Sequence, residues 1–163
     1  MSRRTRGVAT CGLLAATLAL AGCESDKVPL DSPTPSPVVG AACQRLLDAL
    51  PDTVDDELRR PVDPEDALGA AWGDPAITLT CGGTMPPDFD RFAACEEADG
   101  VGWYVPEEQV SDQGLDVVMT TIGRRPVVQV RVPSSYRPAG PAAAMVDLAP
   151  AIKEHTRLRK PCV

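Results

Sequence analysis

The sequence predicts an α+β domain: an antiparallel sheet of hairpins with an N-terminal and a C-terminal helix, closed by two disulfides. Three observations carry that expectation. Apolar and polar residues alternate in short segments such as Ile77-Thr78-Leu79-Thr80-Cys81, and a period of two marks a half-buried strand. Turn-forming pairs, Asp99-Gly100 and Gly123-Arg124, lie between such segments. Helical patterns fall only toward the ends of the folded part, and strands in runs with helices set apart are the mark of the α+β class.

Residues 1–22 read as a lipoprotein signal peptide. Arg3, Arg4 and Arg6 make a positive start, and no residue from 7 to 22 is charged. The apolar run is too short to span a bilayer and has the length of a signal core. It closes on Leu20-Ala21-Gly22-Cys23, which resembles a bacterial lipobox, where the cysteine sulfur takes a diacylglycerol and the chain is cut just before it. Cys23 is thus the expected lipid-attachment site, carrying palmitate-class chains; the rival reading is an ordinary signal peptide with a cysteine near its cleavage point. Arg3-Arg4 lacks the apolar residues that follow a twin-arginine pair, so general secretion is expected. Residues 23–39 read as a lipidated tether. Pro29, Pro33, Pro35 and Pro37, with Ser and Thr between them, favour extended polyproline geometry with a reach of roughly 50 Å. Thr34 and Ser36 are glycosylation acceptors or parts of a plain spacer.

Residues 40–163 are one domain's worth of chain. A helix is predicted over 41–50, where Leu46, Leu47 and Leu50 share a face and Pro51 stops it. Residues 52–60 are charged and read as a loop leading to a short edge segment. Asp63-Pro64-Glu65-Asp66 has the form of a helix start; the alternative is a hairpin in which residues 67–72 turn at Gly73-Asp74-Pro75 into the next strand. That strand covers 76–81. A hairpin pairs 92–98 with 101–105 around Asp99-Gly100, and another pairs 115–122 with 126–132 around Gly123-Arg124. Residues 139–158 hold a helix broken or started near Pro150.

The six cysteines divide by location. Cys11 leaves with the signal and Cys23 takes the lipid. Cys43, Cys81, Cys95 and Cys162 remain, an even number that reads as two disulfides in an exported domain. Four cysteines allow three pairings. The expected one is Cys43–Cys81 with Cys95–Cys162, clipping the opening helix to a core strand and the C-terminal tail to a hairpin. No spacing resembles a zinc or thioredoxin motif.

Three of the 16 basic residues lie in the leader, leaving 13 against 23 acidic ones. Such an excess excludes broad binding to nucleic acid, which needs a basic face, and to an anionic lipid surface. Arginine outnumbers lysine, and Ala, Pro and Val are abundant, as in proteins from high-GC genomes.

Four blocks carry a family resemblance: Cys43-Gln44-Arg45-Leu46-Leu47-Asp48-Ala49-Leu50-Pro51, Ala70-Ala71-Trp72-Gly73-Asp74-Pro75-Ala76-Ile77, Cys81-Gly82 and Gly102-Trp103. They are similar to those of actinobacterial lipoproteins grouped as domain of unknown function 3515. The resemblance covers nearly all of the mature domain and implies export and lipidation. It brings no catalytic or binding residues with it.

For chemistry the chain offers little. His155 is the only histidine, so a Ser–His–Asp or multi-histidine site has to be built on it. Its place in a basic run at the end of the last helix is explained by the helix dipole, and the catalytic alternative would pair it with Ser134 or Ser135. Asp52, Asp55, Asp56 and Glu57 form one acidic run and Asp63, Glu65 and Asp66 another. Neither has EF-hand spacing, and solvated loops are expected. No phosphate-binding glycine loop is present. Trp72, Trp103 and Tyr104 are the candidate partner surface, since aromatics dominate interface hot spots; the competing reading places them in the core. The expectation is a non-enzymatic cell-envelope lipoprotein on the outer face of the cytoplasmic membrane, without cofactor or metal. It would serve as accessory or scaffold to an unidentified envelope protein. A small-ligand or cation binder is the alternative, and an envelope hydrolase stands behind both.

Overall fold

The computed structural model describes residues 26–90 and 92–161; the expected signal peptide and Cys23 lie outside them. In chain order the elements are β1 (Val28–Pro29), α1 (Pro37–Asp48), β2 (Thr53–Val54), β3 (Glu57–Arg60), β4 (Val62–Asp63), β5 (Gly69–Trp72) and β6 (Ile77–Gly83). There follow β7 (Glu96–Ala98), β8 (Val101–Tyr104), α2 (Glu107–Ser111), β9 (Val117–Thr121), β10 (Arg124–Arg125) and β11 (Val127–Val132). A 3₁₀ turn (Ser134–Tyr136), α3 (Gly140–His155) and β12 (Arg157–Leu158) complete the series.

Eight strands form one sheet in the order β2-β3-β5-β6-β11-β9-β8-β7, and every pairing in it is antiparallel. The expected α+β class, with a helix near each end, is what the chain adopts. Helices α1 and α3 pack on each other and on the sheet. The core lies between them. Ala70, Leu79, Val130 and Met119 stand in one cross-strand row and share the core with Leu46, Leu148 and Ile152. Along β6 the predicted alternation holds: Ile77, Leu79 and Cys81 are fully buried, while Thr78 and Thr80 between them are half-buried. On that polar side Gln129 Nε2 donates to Thr120 Oγ1 at 3.3 Å, so the opposite face of the central strands is held by hydrogen bonds as well as by packing.

Cys43 and Cys81 form the expected bridge, joining α1 to β6 across 38 residues. Cys95 is disulfide-bonded too, and Cys162 lies outside the described residues.

The tether is the main correction. Residues 23–39 do not behave throughout as a free spacer, because Val28 and Leu30 are buried and β1 pairs in parallel with β4. Val28 N–H donates to Pro61 O (2.8 Å) and Leu30 N–H to Asp63 O (2.9 Å). Ser32 Oγ accepts the Leu68 amide at 3.0 Å. Two glycines make room for the strap. A Cβ on Gly69 would stand 2.5 Å from Leu30 Cδ2, and one on Gly82 would stand 2.9 Å from Pro35 Cγ. Two apolar residues among prolines suffice to seat the segment once those positions are flat.

The remaining differences are local. Helix α1 starts at Pro37 instead of residue 41, with proline in its first turn, where a missing N–H costs nothing. Residues 52–60 form the β2–β3 hairpin, turning on Asp55 and Asp56 at φ 51° and 63°, a conformation aspartate tolerates. Asp63–Asp66 does not open a helix; the hairpin alternative, β5 into β6, is what forms. Of residues 92–98 only the last three pair. Helix α3 runs unbroken through Pro150; Pro150 and Val146, one turn before it, both lie on the exposed side, so the lost hydrogen bond is left to water.

Candidate functional site

The residues expected to form a partner surface are in the core. Trp72 and Trp103 are fully buried and Tyr104 is 7 % exposed. Trp72 Nε1 donates to Pro51 O at 3.1 Å, and the Arg59 guanidinium lies 5.9 Å from its ring centroid. Tyr104 meets the Phe89 ring edge-on at 5.3 Å and donates its hydroxyl to Asp88 Oδ2 at 2.7 Å. That hydrogen bond, with burial second, pushes the phenol up to about 12. The core takes these three, because an aromatic side chain buries a large apolar area, while Phe92 stays exposed.

His155 ends α3, with Nε2 4.0 Å from Glu154 Oε1. Ser134 and Ser135 precede the other end of the same helix, about 24 Å away along its axis. The pairing weighed from sequence is not formed. The first acidic run is a structural turn: the Asp55 amide donates to Asp147 Oδ2 at 2.9 Å. Burial, then the charges of Asp56 and Asp147, push the Asp55 carboxyl up. In the second run Glu65 pairs with Lys27 at 2.6 Å, which holds its carboxyl down. Among the described residues no three His, Cys, Asp or Glu side chains gather into a metal-holding group.

A cleft that the sequence did not point to lies at the C-terminal corner. Its volume is about 390 Å³, at the small end of ligand-sized sites. Met85, Phe89 and Ile122 supply apolar walls, and Arg125, Arg159 and Lys160 supply cations, with Asp90 beside them. The chain builds this corner by turning at Ile122-Gly123 after β9 and pairing β10 with β12, which sets Arg124 opposite Leu158 and Arg125 opposite Arg157. The Gly123 carbonyl accepts both the Arg159 amide (2.7 Å) and the Lys160 amide (3.2 Å).

Arg124 fastens the corner from within. It is 6 % exposed and donates to Gly100 O at 3.0 Å and to Thr156 Oγ1 at 3.3 Å. Thr156 Oγ1 donates onward to Ile152 O at 2.6 Å. Arg124 Nε is buried with no partner among the described residues, and burial lowers its guanidinium from the usual value. Arg125 spends one N–H on the Arg124 carbonyl at 2.8 Å. None of Arg125, Arg157, Arg159 and Lys160 is in an ion pair with a described residue. A chain of net charge −7 thus concentrates unpaired cations in one place. Sequence reasoning assigned the basic run 153–160 to the end of the last helix. The helix stops at His155, and the strand that follows carries Arg157 to Lys160 to Arg124-Arg125, more than 30 positions earlier.

Comparison with known proteins gives one finding. No curated protein and no solved structure matches the chain. The family model described as protein of unknown function, DUF3515, matches residues 7–161, nearly the whole length. The chain therefore belongs to the DUF3515 family.

Proposed function

We propose that this protein is an extracytoplasmic lipoprotein of the cell envelope, held to the outer face of the cytoplasmic membrane by a lipid on Cys23. It acts as a non-enzymatic accessory or scaffold for an envelope partner. The observation that carries the reading is the Cys43–Cys81 bridge at the centre of the core. A disulfide that the fold is built around belongs to an oxidising compartment, and the Leu20-Ala21-Gly22-Cys23 motif supplies the route there and the attachment. A second bridge, Cys95–Cys162, is part of the same proposal; non-reducing peptide mapping should recover a Cys95–Cys162 peptide, and any other partner for Cys95 rejects it.

Metabolic labelling with a palmitate analogue, followed by membrane fractionation, tests the anchor. Labelled protein should stay with membranes through a high-salt wash, because two or more acyl chains hold stably. The Cys23→Ser variant should lose the label. Release of the wild type by salt, or a label that survives Cys23→Ser, overturns the reading. In-cell crosslinking with mass spectrometry then tests the accessory role: a reproducible envelope partner, lost in Cys23→Ser, is the expected result. Small-ligand binding is the second reading, and the basic, apolar-walled cleft supports it.

A further inference from the structure

We propose that the cleft between the β9–β10 turn, residues 85–90 and 93–95, and the segment 159–161 that follows β12 is a binding site for a small amphiphilic anion. The ligand class is a phosphate or carboxylate head bearing a short apolar group, free or as the head of an anionic lipid. This deepens the ligand-binding reading and does not depend on lipidation of Cys23.

Three independent features point to such an occupant. First, the cations oppose one another. Arg125 and Arg157 are direct cross-strand partners, which brings two like charges to this corner at some cost in stability; of the two, Arg125 lines the cleft. Arg159 and Lys160 follow on the same strand end and line the same cleft as Arg125. The chain has 23 carboxylates and sets none of the described ones in an ion pair with these four residues. Elsewhere it pairs cations readily, as in Lys27–Glu65, Arg131–Asp116 and Lys153–Asp99. A small anion entering the cleft supplies a partner to Arg125, Arg159 and Lys160, which line it, and arginine presents donors suited to phosphate and carboxylate oxygens.

Second, the walls beside the cations are apolar. Met85, Phe89 and Ile122 are all only partly buried and face the cleft. Met85 and Phe89 come from the loop after β6, while Ile122 comes from the end of β9. Inorganic phosphate would leave them uncovered. A ligand with a hydrocarbon portion removes their surface from water at roughly 25 cal/mol per Å². Third, the charges on the wall do not balance: among the described lining residues, three cations face one carboxylate, Asp90, whose Oδ1 accepts the Phe92 amide at 2.6 Å. That leaves a positive surplus for the guest.

The rim cations are exposed, so they can be changed without disturbing the core. The test uses the mature protein in phosphatidylcholine nanodiscs, titrated calorimetrically with octyl phosphate, ethyl phosphate and octanol against empty discs. Octyl phosphate should bind saturably and at least about ten-fold more tightly than either control, since it alone uses both parts of the site. The Arg159→Gln/Lys160→Gln variant should lose at least about ten-fold in octyl phosphate affinity while its unliganded melting temperature stays unchanged. Discs made with phosphatidylglycerol separate the two sources of the head group. Undiminished octyl phosphate binding there assigns the cleft to a free anion, and loss of binding there assigns it to the lipid. The proposal is overturned if octanol binds as well as octyl phosphate, if the double variant binds like the wild type, or if no saturable binding appears in phosphatidylcholine discs up to 1 mM.

Discussion

Replacing Gly123 by alanine probes how the cationic corner is held. Gly123 has φ +66°, and a Cβ placed on it overlaps the Lys160 carbonyl oxygen by more than about 1 Å, given the ~3.3 Å at which carbon and oxygen touch. The tail must therefore move away. In moving it gives up the two hydrogen bonds that the Gly123 carbonyl accepts from Arg159 and Lys160, worth about 1 kcal/mol each. The left-handed backbone adds about 1–2 kcal/mol for any residue with a Cβ. The first loss is local, because residues 157–161 are exposed and can lift without opening the core. Native-state hydrogen exchange reads the two apart. In Gly123→Ala the Arg159 and Lys160 amides should exchange roughly 30-fold faster, the factor that matches about 2 kcal/mol. Amides of β6 and β11, which feel only the backbone strain, should speed up by roughly 5- to 30-fold, and the tail amides by their additional factor on top of that. Gly123→Asn supplies the control. Asparagine tolerates positive φ, so if backbone strain were the whole cost it would restore slow exchange; because the overlap is steric, it should behave like alanine. Wild-type exchange at Arg159 in either variant would refute the reasoning.

Other outcomes follow from the core and from the titrating groups. Replacing both Cys43 and Cys81 by alanine reopens a 38-residue loop, worth about 4 kcal/mol of unfolded-state restriction. The melting temperature should fall by about 10–20 °C in calorimetry, and a fall under about 5 °C would show that the bridge restrains little. Trp72→Phe should cost about 1–2 kcal/mol more than Trp103→Phe in urea unfolding. Trp72 loses its bond to Pro51 O and its Arg59 contact, whereas Trp103 Nε1 is buried without a partner among the described residues and gives up no bond to them; equal costs would contradict this. The Tyr104 phenol is raised to about 12, first by its hydrogen bond to Asp88. Its folded value lies above its unfolded one, so its contribution to stability is complete below about pH 10 and is lost as pH rises toward 12. In a phenolate absorbance titration, Asp88→Asn should move one of the two tyrosines to lower pH; unchanged curves would remove Asp88 as the cause.

The sheet was largely legible because its signals are local. Asp99-Gly100 sets the β7–β8 turn with both residues at positive φ, and the alternation in residues 77–81 is a property of five consecutive positions. The Cys43–Cys81 bridge was one of the pairings four cysteines allow, and the structure forms it. The strap was not legible. Val28 meets Val62 across 34 residues, and the flat seats at Gly69 and Gly82 exist only after β5 and β6 have formed. Proline content argued for a spacer, and two buried apolar side chains outweighed it. The cleft was hidden for a similar reason. The end of α3 is set by Thr156, whose extended backbone and side-chain bond back to Ile152 O turn the chain into β12. A basic run that looked like a helix terminus thereby became half of a cationic pair of strands. The aromatics failed as surface candidates because a small core claimed them.

The seated strap also shortens the chain's reach. Asp26 O accepts from Arg60, and Val28 and Leu30 are buried, so the segment is fastened from there on. Under the proposed lipidation of Cys23, three residue steps would separate the anchor from that fastened segment, a span of at most about 11 Å. A free proline tether would let the domain sweep a hemisphere roughly 50 Å in radius. Lipidation there would therefore place the domain close to the headgroups, where its encounters would be with what diffuses in the same membrane plane.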